Sequence, residues 1–426
     1  MNECKVAILG LGTVGFGVYK IIQNNGPEMA AYDDVDLSVV KVLVRTLEEP
    51  NVSKCEDASI CTTDVEDVIN SDADVVVECI GGEHPALEFI LAALQAKKNV
   101  VTSNKEVIAK NWSEIEAVAK ENGVGVYIEA TVAGGIPIIR TVQEGMQANH
   151  ITKIMGIING TTNYILTKMT KEGADYGTVL REAQALGYAE ADPKNDVEGY
   201  DNMYKLSILG SLAFHTKIPI EVIFREGISN ITAKDIEIGG EFGYVVKMLA
   251  IAKHKPNKII VRVHPTMIPK EHPLANVNDA FNAIFLHGDN VDDVMLYGRG
   301  AGELPTASAV VSDIVYGFQH RENPVYATLN QTNDEDIFFE PDFRTAAFIN
   351  FNVKDQVGVL SSISKILSDN NVSVESMVQK KKSHEGLVKL IFITHEAKEQ
   401  AINKAMEEIL KLPAVESLNN MIRVEH

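Results

Sequence analysis

The sequence predicts an α/β chain in three parts: a mostly parallel, doubly wound sheet, an α+β region, and a small βαββαβ module at the C-terminal end. Three observations carry this. From residue 5 to 130, short apolar runs alternate with amphipathic stretches, the order that builds a parallel sheet covered on both faces. Beyond 131 that alternation stops, and strands and helices follow without regular exchange. From Ala346 a two-residue apolar period returns, then a helical one, in about 80 residues.

The bulk numbers bound the chemistry. A chain of 426 residues has room for two or three domains, each with its own core. The formal charge of −20 argues against nucleic acid or an anionic membrane as a main partner. No run of eighteen apolar residues is present, and the N-terminus lacks the layout of a secretion signal. The four cysteines have no CxxC spacing, and Cys79 sits in an apolar run as a buried free thiol. A reducing, cytoplasmic setting is expected.

Taken in order, an apolar strand at 5–9 leads directly into Gly10-Leu11-Gly12-Thr13-Val14-Gly15 and a helix over 16–25. A glycine-rich turn between strand and helix is the context that a dinucleotide fingerprint requires. Gly10 permits the turn, Gly12 lets the backbone approach a pyrophosphate, and Gly15 allows close helix–strand packing. The second strand, 37–44, ends at Arg45, where NAD-preferring folds carry an acid. An arginine there suits a 2′-phosphate, so NADP is expected over NAD, with Glu48 and Glu49 working against that preference.

A helix at 64–69 and a buried strand at 73–80 follow. That strand ends at Ile80-Gly81-Gly82, where a cofactor would meet the carboxyl edge of the sheet. A helix at 86–96 and a strand at 99–102 place Ser103, Asn104 and Lys105 at a further strand end. A helix at 112–122 and a strand at 125–129 complete the first region. In the second region, strands are expected at 151–158, 259–264, 283–288 and 293–298, and helices at 176–186, 242–253 and 307–318, the last returning to the first domain. Residues 323–345 read as a linker. In the terminal module Ala347, Ile349, Phe351 and Val353 share one strand face, and Leu360, Ile363, Ile366 and Leu367 share one helix face. Lys380, Lys381 and Lys382 read as a solvated hairpin tip.

The most informative stretch is 186–205, LGYAEADPKNDVEGYDNMYK. It carries Glu190, Asp192, Asp196, Glu198 and Asp201, then Lys205. Asp201 and Lys205 are four apart on a helix, and continuing their stripe gives Ile208 and Leu212, so the charged face turns inward. A surface ion pair is the plainer reading of such spacing. A buried pair beside an acid-rich loop points instead to a pocket for a small charged ligand.

Six segments together resemble homoserine dehydrogenase: GLGTVG at 10–15, TSNKE at 102–106, EATVAGGIP at 129–137, GIINGTTNYIL at 156–166, the acid-rich motif at 186–209, and GRGAGELPTASAVVSDI at 298–314. The last 80 residues resemble an ACT domain, a module that commonly binds amino acids. The resemblance implies a Rossmann-like domain at 1–130 completed by 300–322, a substrate and dimerisation domain at 131–299, the linker 323–345, and an ACT domain at 346–426. No aspartate kinase region precedes these segments, which fits the monofunctional form of the family.

It further implies reversible NAD(P)H-dependent reduction of L-aspartate 4-semialdehyde to L-homoserine, in threonine, methionine and isoleucine biosynthesis. Lys205 matches the proton donor, Lys105 a second lysine, and Asp201 the acid that fixes the catalytic lysine. Glu190, Asp196, Asp201, Gly160 and Thr161 match substrate-binding positions. Gly10 to Gly15, Arg45, Ile80, Gly81, Ser103, Lys105 and Gly302 match cofactor positions. Glu129, Val132, Gly134 and Ile136 match a loop whose oxygens, mainly carbonyls, hold a monovalent cation, Na+ or K+. Gly358, Asn371 and Val372 match effector positions for an amino acid such as threonine, and a homodimer or homotetramer is expected. A semialdehyde dehydrogenase acting through a thioester needs a cysteine near the acid-rich motif, and none is there. A non-catalytic amino-acid sensor with a retained nucleotide fold is the remaining alternative.

Overall fold

A computed structural model describes residues 2–327, 329, 337–380 and 387–425. The predicted hairpin tip at Lys381, Lys382 and 384–386 lies outside these residues. The chain forms two compact units.

The first unit comprises Met1–Gly160, Asp201–Ile223 and Phe281–Ile337. Its main sheet has strands β1 (Asn2–Leu9), β2 (Val35–Leu43), β3 (Cys61–Thr62), β4 (Val75–Glu78), β5 (Asn99–Thr102) and β6 (Val126–Tyr127). They run parallel in the order β3-β2-β1-β4-β5-β6. Val6 to Leu9 and Val75 to Val77 are fully buried, as strands covered by helices on both faces must be.

Helix Thr13–Tyr32 follows β1 through the glycine turn. A Cβ at Gly15 would sit 1.9 Å from the Gly10 carbonyl oxygen, so no larger residue permits this packing. Helix Glu303–Gln319 returns to lie on helix Thr13–Tyr32, so closely that a Cβ at Gly17 would come 2.8 Å from the Glu303 carbonyl oxygen. The same unit holds an antiparallel trio with Phe281–Gly288 between Ile151–Ile157 and Asp292–Arg299.

The second unit comprises Thr161–Tyr200, Phe224–Ala280 and Phe338–His426. The helix expected at 242–253 is a strand instead: Tyr244–Lys255 pairs antiparallel with Lys258–Pro269 along its whole length. Val246 to Ala252 are buried without interruption, which a strand flanked on both sides explains as well as a core helix does. Long-range pairing decides, helped by Asn257, whose φ of +59° closes the hairpin turn. The helix of this region lies earlier, at Ala233–Glu241, started by a capping box between Thr232 and Asp235. A second helix absent from the sequence reading, Gly160–Glu172, is largely buried.

The C-terminal module shows the expected βαββαβ order, with strands Arg344–Lys354, Val374–Lys380, Leu387–Thr394 and Val415–Val424. Helices Val359–Asp369 and Glu399–Ile409 cover one face. Ala347, Ile349, Phe351 and Val353 form the floor of its core. Leu360, expected inward, is 37% exposed; the helix buries Val359, Ile363 and Leu367 instead. The last strand also pairs in parallel with Lys258–Pro269, Thr266 opposite Arg423 and Met267 opposite Val424.

Candidate active site

Helix Tyr200–Phe214 turns the Asp201–Lys205 stripe inward, and both side chains are buried. Lys205 Nζ donates to Asp201 Oδ2 at 2.6 Å and to the Ile158 carbonyl at 2.8 Å. Asn159 Nδ2 donates to the same Oδ2 at 2.9 Å. Lys105 Nζ lies 3.0 Å from Oδ1. Burial alone would raise the Asp201 pKa, but the charges of Lys205 and Lys105, with the Asn159 bond, hold it below the usual carboxylate range. The arrangement concentrates two ammonium groups on one carboxylate, with one Lys205 N–H beyond the two bonds described.

The elements behind this cluster explain its position. Helix Lys105–Asn122 begins seven residues before the predicted start, because the Asn104 side chain caps it by accepting from Val107 N–H. Asn104 Nδ2 also donates to the Gly82 carbonyl at 2.7 Å, tying two strand ends together. Fully buried Glu78 accepts from Ile80 N–H at 2.7 Å, Gly81 N–H at 3.3 Å and Thr102 Oγ1 at 2.6 Å. Sequence reasoning missed Glu78 and Asn159. The signal for Glu78 was a carboxylate inside the apolar run VVVECI.

A cavity of about 580 Å³ opens at the carboxyl ends of β1, β2 and β4, lined among others by Gly10, Leu11, Gly12, Arg45, Glu49 and Ile80. A Cβ at Gly12 would meet nothing within 4 Å, which leaves room for a pyrophosphate against its backbone. A dinucleotide therefore fits these residues. Thr13, Val14 and Gly15 form the first helical turn behind it. Gly81, Ser103 and Lys105 follow β4 and β5, and Gly302 caps helix Glu303–Gln319; none of these seven lines the cavity. The Arg45 side chain is 96% exposed, with its Nε 3.8 Å from Glu49, whose carboxylate accepts the Arg45 main-chain N–H at 2.8 Å. Cys79 also lines this cavity, and burial pushes its thiol up, the reverse of what a nucleophile needs.

The Glu129 carboxylate accepts from Ile139 N–H at 2.8 Å and Arg140 N–H at 2.9 Å, so it caps the segment after Pro137. Glu129 N–H donates to Asp313 at 2.8 Å, and Arg140 to the other Asp313 oxygen at 2.7 Å. Burial and the Glu129 charge push the Asp313 pKa up to about 7 against the pull of Arg140. Val132 and Ile136 are buried, and a Cβ at Gly134 would lie 2.6 Å from the Gly300 carbonyl oxygen. Among the described residues no cluster of three or more His, Cys, Asp or Glu is set to hold a metal, so a cation on this loop would rely on main-chain oxygens.

The remaining predicted positions belong to the second unit, apart from Gly160, which ends a segment of the first. Gly160 begins helix Gly160–Glu172, and the Thr161 hydroxyl donates to the Tyr188 carbonyl at 2.5 Å. Glu190 is exposed, and Asp196 is half-buried in the short helix Lys194–Val197. Gly358 has φ +93° at the start of its helix, Asn371 has φ +60°, and Val372 is buried. No described helix is long and apolar enough to cross a membrane.

Comparison with known proteins gives three family matches: homoserine dehydrogenase over residues 137–315, the homoserine dehydrogenase NAD binding domain over 10–129, and the ACT domain over 347–414. The chain is 41% identical to a homoserine dehydrogenase of Bacillus subtilis (strain 168), covering 100% of this chain and 99% of that one. A homoserine dehydrogenase crystal structure from Thiobacillus denitrificans has a TM-score of 0.94 at 40% identity, covering 100% of this chain and 99% of that one. A hyperthermophilic archaeal homoserine dehydrogenase in complex with NADPH has a TM-score of 0.63 at 29% identity, covering 74% of this chain and 98% of that one. The chain belongs to the homoserine dehydrogenase family, as an NAD(P)-dependent oxidoreductase with a C-terminal ACT domain.

Proposed function

We propose that Lys205 donates the proton, and that Asp201 holds it in place, as L-aspartate 4-semialdehyde is reduced to L-homoserine. The observation that carries this reading is the buried Asp201 carboxylate shared by Lys205 and Lys105. The bound reduced dinucleotide supplies the hydride to the carbonyl carbon. Negative charge then develops on the aldehyde oxygen, and the Lys205 ammonium stabilises it and transfers a proton. Asp201 and the Ile158 carbonyl hold the Lys205 ammonium by two hydrogen bonds, which orients it before the reaction. Lys105 answers the substrate carboxylate or relays the proton. Glu190 and Asp196 answer the substrate ammonium, with Gly160 and Thr161 beside it.

The preferred cofactor is NADP, with Arg45 facing the 2′-phosphate. The NADPH complex of the archaeal relative supports this. Carbonyl oxygens of Glu129, Val132, Gly134 and Ile136 take a sodium or potassium ion. The ACT domain takes an amino acid such as threonine at Gly358, Asn371 and Val372, and the enzyme works in the cytoplasm as a homodimer or homotetramer. The domains divide at 130, 299 and 345, with 300–322 returned to the first. The test is absorbance of reduced cofactor formed from homoserine with NAD or NADP, repeated with threonine and with sodium and potassium replaced by choline. Turnover with NADP, lowered by threonine and by choline, is expected. Failure with both cofactors would leave the inactive sensor as the better account.

A further inference from the structure

A second cavity, of about 100 Å³, lies wholly within the second unit. It forms where strands Tyr244–Lys255 and Lys258–Pro269 meet the start of strand Arg344–Lys354 and the approach to helix Glu399–Ile409. Six cations line it, among them Lys253, Lys255, Arg262 and Lys398, against three carboxylates. This local excess of positive charge stands out in a chain of −20.

Arg262 is the focus. Its side chain is 1% exposed and stacks on the Phe343 ring. Its Nη2 donates to Glu425, and Lys253 Nζ contacts the other oxygen of that carboxylate at 2.7 Å. Arg262 Nε and Nη1 have no partner among the described residues. One buried and one half-buried cation thus share one carboxylate, and part of a fully buried guanidinium fork stays unspent. Buried donors without partners are uncommon, because each loses its water and gains nothing in return. A planar fork of this kind matches the oxygens of a phosphate or carboxylate. Burial and neighbouring Arg262 push the Lys253 pKa down to about 8, which an arriving anion would reverse.

We propose that this cavity binds a small oxyanion, a phosphate or a carboxylate group, held by Arg262 and the surrounding lysines. The ligand would join residues of the two long strands, Lys253 and Arg262, to residues of the C-terminal module, Arg344 and Lys398. The site uses none of Gly358, Asn371 or Val372.

The test uses the full chain with NADPH saturating, so that the dinucleotide pocket is closed to anions. Melting temperature and titration heat are followed with sodium phosphate and with sodium succinate, each against sodium chloride of equal sodium, brought to equal ionic strength with choline chloride. A saturable rise of about 2 °C or more with one probe is expected, and which probe gives it identifies the oxyanion. Exposed Lys255 changed to glutamate (Lys255→Glu) should weaken that response about tenfold and leave turnover of homoserine unchanged. Arg262→Met should abolish the response. No saturable shift with either probe, or an unchanged response in Lys255→Glu, would overturn the proposal even if Arg262→Met fails to fold.

Discussion

Lys105 and Lys205 bind opposite oxygens of one carboxylate, 3.0 Å from Oδ1 and 2.6 Å from Oδ2 of Asp201. Lys205 is buried and Lys105 is 41% exposed, so the two are not equivalent. The inner lysine is held by hydrogen bonds to Asp201 and the Ile158 carbonyl, and the outer one reaches the same carboxylate from the more exposed side. Lys205→Ala should lower kcat by about 10²- to 10⁴-fold. Dinucleotide affinity, read by fluorescence titration, should stay within about twofold, because Lys205 does not line the dinucleotide cavity. Near-normal turnover would remove the assigned role.

Gly12 and Gly15 should separate binding from folding. A Cβ at Gly12 meets nothing, whereas one at Gly15 would clash with the Gly10 carbonyl oxygen at 1.9 Å. Gly12→Ala should therefore melt within about 1 °C of the parent and bind dinucleotide at least tenfold more weakly. Gly15→Ala should lose about 1–3 kcal/mol of stability, seen as a lower melting temperature. Equal melting of the two variants would contradict this.

Asp313 should give the fold an unusual pH dependence. Its folded pKa of about 7 lies above the unfolded value. A carboxyl raised in this way contributes stability fully below its unfolded pKa, near 4, and loses it as pH rises toward the folded pKa. Melting temperature should thus fall between about pH 4 and 7 from this group and level off above. In Asp313→Asn that slope should be smaller, with the difference between the two proteins changing by about 1–3 kcal/mol across the window. An identical slope in both would show that Arg140 keeps Asp313 ionised throughout.

Arg45 and Glu49 should set the choice of cofactor. Both line the dinucleotide cavity beside the end of β2. Arg45→Ala should raise KM for NADP about 5- to 50-fold and change KM for NAD less than about twofold. Glu49→Gln should shift the ratio of kcat/KM values toward NADP by removing a like charge near the phosphate. A matching change for both cofactors in Arg45→Ala would mean that Arg45 does not read the phosphate.

Five of the six strands of the first sheet were legible because each is an apolar run followed by a turn signal, whereas β3, Cys61–Thr62, is too short to show a pattern; the glycine turn at 10–15 marked where the cavity opens. The inward Asp201–Lys205 stripe followed from helical spacing alone. Strand Tyr244–Lys255 was not legible. Its buried run of seven suits a helix or a strand equally, and only its partner at Lys258–Pro269 settles the matter. Helix Lys105–Asn122 starts earlier than its spacing suggests because its first two turns, KEVIAKN, mix charged and apolar residues, and the start is marked only by the Asn104 cap. Asn159, Glu78 and Asp313 act through contacts made far along the chain, which spacing does not encode. The match of Lys105 to Asp201 likewise needed both the resemblance and the fold.

The final strand, Val415–Val424, is hydrogen-bonded at once within its own module and to strand Lys258–Pro269. Glu425 follows it and supplies the carboxylate shared by Lys253 and Arg262. The regulatory module is therefore not a detachable appendix. Cutting the gene before residue 344 would strip a neighbouring strand from Lys258–Pro269 and leave Lys253 and Arg262 without their shared counter-ion.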